Sequence, residues 1–537
     1  MSGSHGHAAL PALPAAVDIY DTTLRDGSQQ EGLSLTVDDK LRVAAQLDHL
    51  GVAYIEGGWP GANPKDEEFF RRAPTELKLS TATLVAFGST RRPATPAHRD
   101  EVLRNLVAAG TPAVCIFGKS WDRHVTEALR TDLDEGVAMA RDSVAFLRSS
   151  GLEVFFDAEH FFDGYKSDPA FALSVLRAAE GAGARTLVLC DTNGGTLPHE
   201  VEEIVAAVRP QVSAEIGLHF HNDGGCGVAN TITGVRAGAT HVQGCINGYG
   251  ERTGNADLCA AIPNLSLKLR VRTIAPERLE RLTPVAHHIA ELVNVAPHPQ
   301  QPYVGQSAFT HKAGVHASAI ARGPDLYEHV PPDTVGNGTR FVVSELAGRS
   351  TVQLKAEELG LDLESAAVID VLDRLKDLEH RGYHFEVADG SLELLMRGAG
   401  GWKQGFFRLE SFRVITEQRE DGGFVTEATI KVHVGDERLV ATAEGNGPVN
   451  ALDGALRKAV GPHFPSLAQL HLTDYKVRVL DTSRGTGAVT RVLVDTTDGE
   501  RSWSTIGVSE NIIEASWQAL ADSIVYGLLH AHDQERT

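Results

Sequence analysis

No Cys-x-x-Cys pair occurs in this chain of 537 residues. Its five cysteines (Cys115, Cys190, Cys226, Cys245 and Cys259) are odd in number and irregularly spaced. That pattern suits reduced thiols and argues against a disulfide framework. No apolar run approaches the ~20 residues that a bilayer-crossing helix needs. Residues 1–16 lack a basic start and a long apolar stretch, so they read as a loose tail and not a signal peptide. A cytoplasmic protein without membrane contact is the expectation. Basic residues are also in deficit: 50 Lys and Arg against 71 Asp and Glu leave a net charge of −21. This balance argues against a duplex nucleic-acid binder, which needs a basic face. No Gly-x-Gly-x-x-Gly follows the first predicted strand, which argues against a dinucleotide-binding open sheet.

What is present is ordinary globular composition, 42% hydrophobic and 23% charged, with room for two to four domains. From Val17 to about Ile246 two periods alternate. Strand-like runs are expected at Val17–Tyr20, Val52–Glu56, Leu79–Val85, Ala113–Phe117, Leu152–Phe156, Thr186–Cys190, Ile216–Phe220 and Thr240–Cys245. Helical patterns lie between most of them, as at Val37–Leu50, Arg99–Ala109, Leu133–Ser149, Ala170–Gly181 and Pro198–Val208. Eight such units predict an α/β fold, a (β/α)8 TIM barrel over residues 17–275. Residues 276–400 read as a mainly helical linker, with helices at Thr283–Val293 and Leu363–Leu378. Residues 401–537 read as an α+β domain with strands at Phe424–Val434, Arg438–Ala443, Lys476–Asp481 and Arg491–Thr497. Within it Val449–Leu456 lines up with Ile513–Leu520, which suggests a duplicated β-rich unit ending in a helix.

Polar motifs cluster at the C-terminal ends of the predicted barrel strands, where barrel enzymes keep their sites. His219-Phe220-His221-Asn222-Asp223 ends the seventh. Residues two apart on a strand share a face, so both imidazoles aim one way and suit a divalent cation. A bare pair of this kind reads more readily as two structural histidines; the strand-end position shifts the balance toward ligation. Asp21-Thr22-Thr23-Leu24-Arg25-Asp26-Gly27 follows the first strand. Asp26 offers a carboxylate to the same site, and Arg25 a cation for a developing oxyanion. Asn247-Gly248-Tyr249-Gly250-Glu251-Arg252-Thr253-Gly254-Asn255 follows the eighth. Its glycines allow close backbone approach, and the Asn255 carbonyl is a hard oxygen ligand. Glu56–Gly61, Asp157–His160 and Asp191–Gly195 add polar groups at three more strand ends. The residues alone point to a metal-dependent barrel enzyme acting on a small anion.

These motifs resemble those of the metal-dependent acyl-CoA condensing enzymes: 2-isopropylmalate synthases, homocitrate synthases and citramalate synthases, of the DRE-TIM metallolyase superfamily. The resemblance spans nearly the whole chain, including His311-Lys312-Ala313-Gly314-Val315-His316 and the duplicated C-terminal region. The loops Gly57–Asp66 and Asp157–Lys166 are most similar to those of the long citramalate synthases. Isopropylmalate synthases usually carry a different form of the stretch seen here as His221–Asn230.

The resemblance implies an acyltransferase that condenses acetyl-CoA with pyruvate and water to give citramalate and CoA, in isoleucine biosynthesis. It implies that Asp26, His219, His221 and Asn255 hold Mn²⁺, Mg²⁺, Co²⁺ or Zn²⁺, that Arg25 supports the oxyanion, and that Thr192 binds the substrate carboxylate. Glu159 is then expected to position acetyl-CoA or take part in proton transfer. His316, beside Tyr327, becomes the base that removes the methyl proton, with His311 as its rival. It further implies an obligate homodimer in which the linker reaches the partner's barrel. The C-terminal domain is expected to be regulatory, with isoleucine as effector near Gly445–Pro448 and Gly507–Asn511. Condensation on 2-oxoisovalerate or 2-oxoglutarate, a barrel lyase and a non-catalytic amino-acid sensor remain as alternatives.

Overall fold

The computed structural model describes residues 12–312, 316, 319–320, 322–344, 347–418, 420, 422–480, 485 and 487–534. The expected loose tail therefore lies mostly outside the described residues, as do Ala313–Val315 and Asp481. The described residues fall into two compact units, those within 1–309 and 329–338 and those within 310–328 and 339–537. Among the described residues, no helix is long and apolar enough to cross a membrane.

The first unit is a closed barrel of eight parallel strands: β1 Asp18–Asp21, β2 Tyr54–Gly58, β3 Thr83–Ser89, β4 Ala113–Lys119, β5 Glu153–Glu159, β6 Thr186–Asp191, β7 Glu215–Phe220 and β8 His241–Gly244. Closure is explicit in the register, because Tyr20 of β1 pairs with both Tyr54 of β2 and Gln243 of β8. The strands are buried on both faces, as parallel barrel strands must be. Outside them pack α1 Val37–Leu50, α2 Pro64–Glu76, α3 Glu101–Ala108, α4 Leu133–Ser149, α5 Phe161–Ser167, α6 Pro169–Gly181, α7 Pro198–Val208, α8 Gly227–Arg236, α9 Leu258–Pro263 and α10 Leu282–Leu292. Helix starts are fixed by local chemistry. Thr36 and Asp39 form a reciprocal capping box on α1. Asp168 caps α6, with Pro169 in its first turn. At the other end of the chain's first helix, Gly51 takes φ 98°, a left-handed cap that glycine adopts without strain.

Two differences from the sequence reading have physical causes. Strand β3 begins at Thr83 and not Leu79, because the Asp48 carboxylate accepts the backbone N–H groups of Ser80, Thr81 and Ala82. Those donors cannot then join a sheet ladder. Ala15 and Ala16, expected in the tail, are tied down by backbone pairing with Arg272.

In the second unit β9 Thr310–His311 pairs with β10 Arg340–Phe341. Helices α11 Arg349–Glu358, α12 Ser365–His380 and α13 Asp389–Ala399 follow. Then come two similar modules: β11 Arg408–Gln418, β12 Phe424–Val434 and β13 Glu437–Gly445 with α14 Pro448–Val460, and β14 His471–Val479, β15 Thr490–Thr497 and β16 Ser502–Ser509 with α15 Ile512–Gln534. Each is a three-stranded antiparallel sheet followed by a helix, the duplication legible in the sequence. β11 and β16 were not expected. Most of β11 is exposed, so its residues follow no simple in–out alternation. One apolar cluster joins Val352, Val371 and Leu392 of the linker helices to Ile506 and Val508 of β16.

Candidate active site

The loop after β1 is pinned before any ligand enters. Asp21 accepts the N–H and the hydroxyl of Thr23 at 2.8 and 3.0 Å, and the N–H of Ile246, beyond β8, at 3.3 Å. This brings Asp26 under the two histidines that end β7. His219 Nε2 and His221 Nε2 lie 3.2 and 3.7 Å from Asp26 Oδ2, and 3.4 Å from each other. All three side chains are buried. Among the described residues they are the one group of His, Cys, Asp and Glu side chains arranged to hold a metal ion.

The hydrogen-bond network fixes which nitrogen of His219 faces the site. Gln243 on β8 donates its amide N–H to Asp157 at 3.0 Å, so its carbonyl oxygen is left to accept from His219 Nδ1 at 2.9 Å. Nδ1 carries the hydrogen, and Nε2 points at Asp26. Burial disfavours the charged form of His219, but Asp26 outweighs it and raises its pKa. Proton and cation thus compete for that nitrogen. Burial, then the neighbouring His219, pushes His221 down to about 4, so it stands neutral and ready to ligate. Burial also works to raise Asp26, yet Arg25 and the two imidazoles hold it well below the usual carboxylate range.

Asn255 fits the same donor set. It opposes His221 in an antiparallel bridge, so both side chains leave the same face. Its amide N–H donates to Tyr249 O at 3.1 Å, while its Oδ1 is buried without a partner. A buried oxygen left bare among metal-type ligands suits a cation. The glycines around it are required sterically. A Cβ on Gly250, at φ 150°, would stand 2.3 Å from Asn255 Nδ2, and one on Gly254 would stand 2.0 Å from Gly248 O.

Arg25 is held rigidly beside this set. Its Nε donates to Glu56 at 2.5 Å, its guanidinium lies over Phe87 at 3.7 Å, and its Nη1 is 3.5 Å from Asp26. Glu56 is fully buried and also accepts from Tyr20 at 2.6 Å. Burial raises its pKa, and Arg25 counteracts that rise. Above the set opens a cavity of about 270 Å³ that Arg25, Glu159, Thr192 and His219 help to line. One wall is aromatic, with Trp59, Phe87 and Phe117 at centroid separations of 5.7 to 5.8 Å. Glu159 is ion-paired with Lys119. The Thr192 hydroxyl oxygen accepts the backbone N–H of His160 at 2.9 Å, which leaves its own hydrogen to donate elsewhere.

Of the residues singled out in sequence, Arg25, Asp26, Glu159, Thr192, His219 and His221 therefore line one cavity, and Asn255 flanks His221. His316 and Tyr327 belong to the second unit, where their ring centroids lie 4.2 Å apart with the planes tilted by 31°. The rival His311 has its Nε2 3.6 Å from Glu328 there. Gln243, Lys119 and the aromatic wall escaped the sequence reading. They sit inside strands or just past them, where composition carries no mark of their role.

Comparison with known proteins gives matches over three stretches of the chain. Residues 16–285 match the family described as HMGL-like. Residues 303–383 match the homocitrate synthase post-HMGL domain-like family, and residues 386–528 the LeuA allosteric (dimerisation) domain. The (R)-citramalate synthase of Streptomyces coelicolor is 52% identical, with 97% of this chain and 98% of that protein covered. That of Aquifex aeolicus is 51% identical, with 96% and 99% covered. That of Sulfolobus acidocaldarius is 47% identical, with 96% and 97% covered.

Proposed function

This chain belongs to the HMGL-like family, and from that premise we propose that it is a citramalate synthase: acetyl-CoA + pyruvate + water → (R)-citramalate + CoA. The observation that carries the reading is the Asp26–His219–His221 cluster beside Arg25, under a small cavity with an aromatic wall. Full-length relatives near 50% identity that are named for this activity support it.

A divalent cation held by Asp26, His219, His221 and Asn255 supplies Lewis acidity to the carbonyl of the 2-oxo acid. Mixed nitrogen and oxygen donors accommodate Mn²⁺, Mg²⁺, Co²⁺ or Zn²⁺. The chain's own groups do the rest. Arg25, locked by Glu56 and Phe87, meets the negative charge that grows on the carbonyl oxygen. Thr192 gives its free hydroxyl hydrogen to the substrate carboxylate. Trp59, Phe87 and Phe117 offer the side chain of the 2-oxo acid an apolar wall, which suits a methyl group and disfavours a carboxylated chain. In the proposed dimer His316, on the linker that reaches the other subunit's barrel, takes a methyl proton from acetyl-CoA, with the Tyr327 ring beside it. Glu159 positions the acetyl group. The new carbon–carbon bond joins the acetyl methyl carbon to C2 of pyruvate, whose carbonyl oxygen takes up a proton in place of the one lost from the methyl and becomes the hydroxyl; water then cleaves the thioester, its OH going to the acyl carbon and its hydrogen to sulfur, and CoA leaves as the thiol.

The enzyme is proposed as a homodimer, since its C-terminal region matches a dimerisation domain. The setting is proposed as cytoplasmic, in keeping with five unpaired thiols. Isoleucine is proposed as the feedback effector, bound near Gly445–Pro448 and Gly507–Asn511, the equivalent sheet-to-helix loops of the two modules.

Free-thiol release from acetyl-CoA tests the whole reading. Pyruvate, 2-oxobutyrate, 2-oxoisovalerate and 2-oxoglutarate are offered separately, with Mn²⁺ or EDTA, and with or without isoleucine or leucine. Pyruvate should be preferred, EDTA should stop the reaction, and isoleucine should inhibit it. Preference for 2-oxoisovalerate would move the enzyme to isopropylmalate synthesis, and no release with any acid would sink the condensing reading.

A further inference from the structure

Arg252 takes no part in the ligand set or the cavity wall, yet its guanidinium is tethered to two neighbouring loops at the barrel mouth. Its Nε and Nη2 donate to the two oxygens of Asp223 at 2.7 and 2.9 Å, a forked pairing. The same Nη2 also donates to the backbone carbonyl of Thr192 at 2.8 Å. One guanidinium thus joins the loops that follow β6, β7 and β8. Its backbone sits at φ 58°, in the left-handed region that non-glycine residues occupy only where the surroundings impose it. The two loops it reaches are already stitched together, because Gly224 N–H donates to Gly194 O at 2.8 Å. Gly194, at φ 67°, is glycine for a related reason: a Cβ there would stand 2.3 Å from Asp223 Oδ2. On its other side Thr192 is held by the His160 N–H. Thr192 is therefore gripped at its carbonyl by Arg252 and at its hydroxyl oxygen by His160, which leaves the hydroxyl hydrogen to donate to a substrate.

We propose that the Arg252–Asp223 fork is a positioning device that sets Thr192 for the carboxylate of the 2-oxo acid, and so governs affinity for that substrate without touching it. This rests on the reading that Thr192 binds the substrate carboxylate. An ammonium is a point charge that cannot span Asp223 and the Thr192 carbonyl as the planar fork does. The role therefore belongs to arginine geometry and not to positive charge.

The test uses the full chain and four variants: Arg252→Ala, Arg252→Lys, Thr192→Val and the Thr192→Val/Arg252→Ala double. Pyruvate KM, acetyl-CoA KM and kcat are read from thiol release, and Mn²⁺ affinity is read by calorimetry. Arg252→Ala should raise pyruvate KM about tenfold, as a displaced binding group does. kcat, acetyl-CoA KM and Mn²⁺ affinity should stay within about twofold, a split that general loosening of the barrel does not produce. Arg252→Lys should behave like Arg252→Ala. The double variant should bind pyruvate no worse than Thr192→Val, because both lesions act through one group. Restoration of KM by lysine, or additive losses in the double, would overturn the positioning role. An unchanged pyruvate KM in Thr192→Val would instead overturn the reading beneath it. Should Arg252→Ala not fold, Asp223→Asn breaks the fork from its other end and should shift pyruvate KM in the same direction.

Discussion

His219 shows how a single hydrogen is placed by residues that no motif names. Asp157 dictates the orientation of the Gln243 amide, and Gln243 dictates the tautomer of His219. Replacing Gln243 with Leu should leave the ligands in place but weaken Mn²⁺ binding about 10- to 100-fold, as loss of such partners typically does. Calorimetric titration of Mn²⁺ into the variant checks this, and unaltered affinity would remove Gln243 from the site's design. Asp26→Asn and His219→Ala should each abolish Mn²⁺ binding and turnover while far-UV circular dichroism stays native. Full activity in either would sink the ligand assignment. His316→Ala should bind pyruvate normally but lose CoA release by about 10²–10⁴-fold, the usual worth of a positioned base. An unchanged rate would clear His316 of that role.

Single helices and strands were legible to different degrees, for reasons that lie in their surroundings. α1 and α4 match their expected ends because apolar spacing and side-chain caps agree, and α7 does so because Pro198 opens its first turn. β3 starts late because the distant Asp48 captures three N–H groups ahead of it. β11 gave no alternating signal because most of it stays exposed. In α15 a half-buried carboxyl carries a testable cost. Burial raises Asp522 to about 6, with Ser391 Oγ donating to it at 2.8 Å and partly counteracting the rise. The folded state therefore binds this proton more tightly than the unfolded chain. The stability it contributes is full below about pH 4 and lost as pH rises through about 6. Asp522→Asn removes that dependence. Its melting temperature should exceed that of the parent at pH 8, by up to about 3 kcal/mol in stability, and the gap should close toward pH 4. Parallel melting curves across pH 4–8 would reject the argument.

At the scale of the whole molecule, the chain's two units are each organised around their own apolar clusters. In the second, the cluster joining Val352, Val371 and Leu392 to Ile506 and Val508 spans position 400. A chain ending at Gly400 loses the β16 side of that cluster. It should bind a hydrophobic dye strongly and melt well below the full chain, and equal melting with no dye binding would contradict this. The alternation of periods by itself determined the barrel, because all eight strands and most of the helices between them announce themselves locally. The repeated helix determined the duplicated C-terminal modules, and the polar strand ends marked the mouth of the barrel. Only the tertiary structure decided how those ends act together. Arg25 meets Glu56 and Phe87, His219 meets Gln243, Gln243 meets Asp157, and Arg252 meets Asp223 and Thr192. Each of these contacts joins residues from different strands or loops. A closed barrel brings the ends of all eight strands to one rim, and proximity across that rim leaves no periodic trace along the chain.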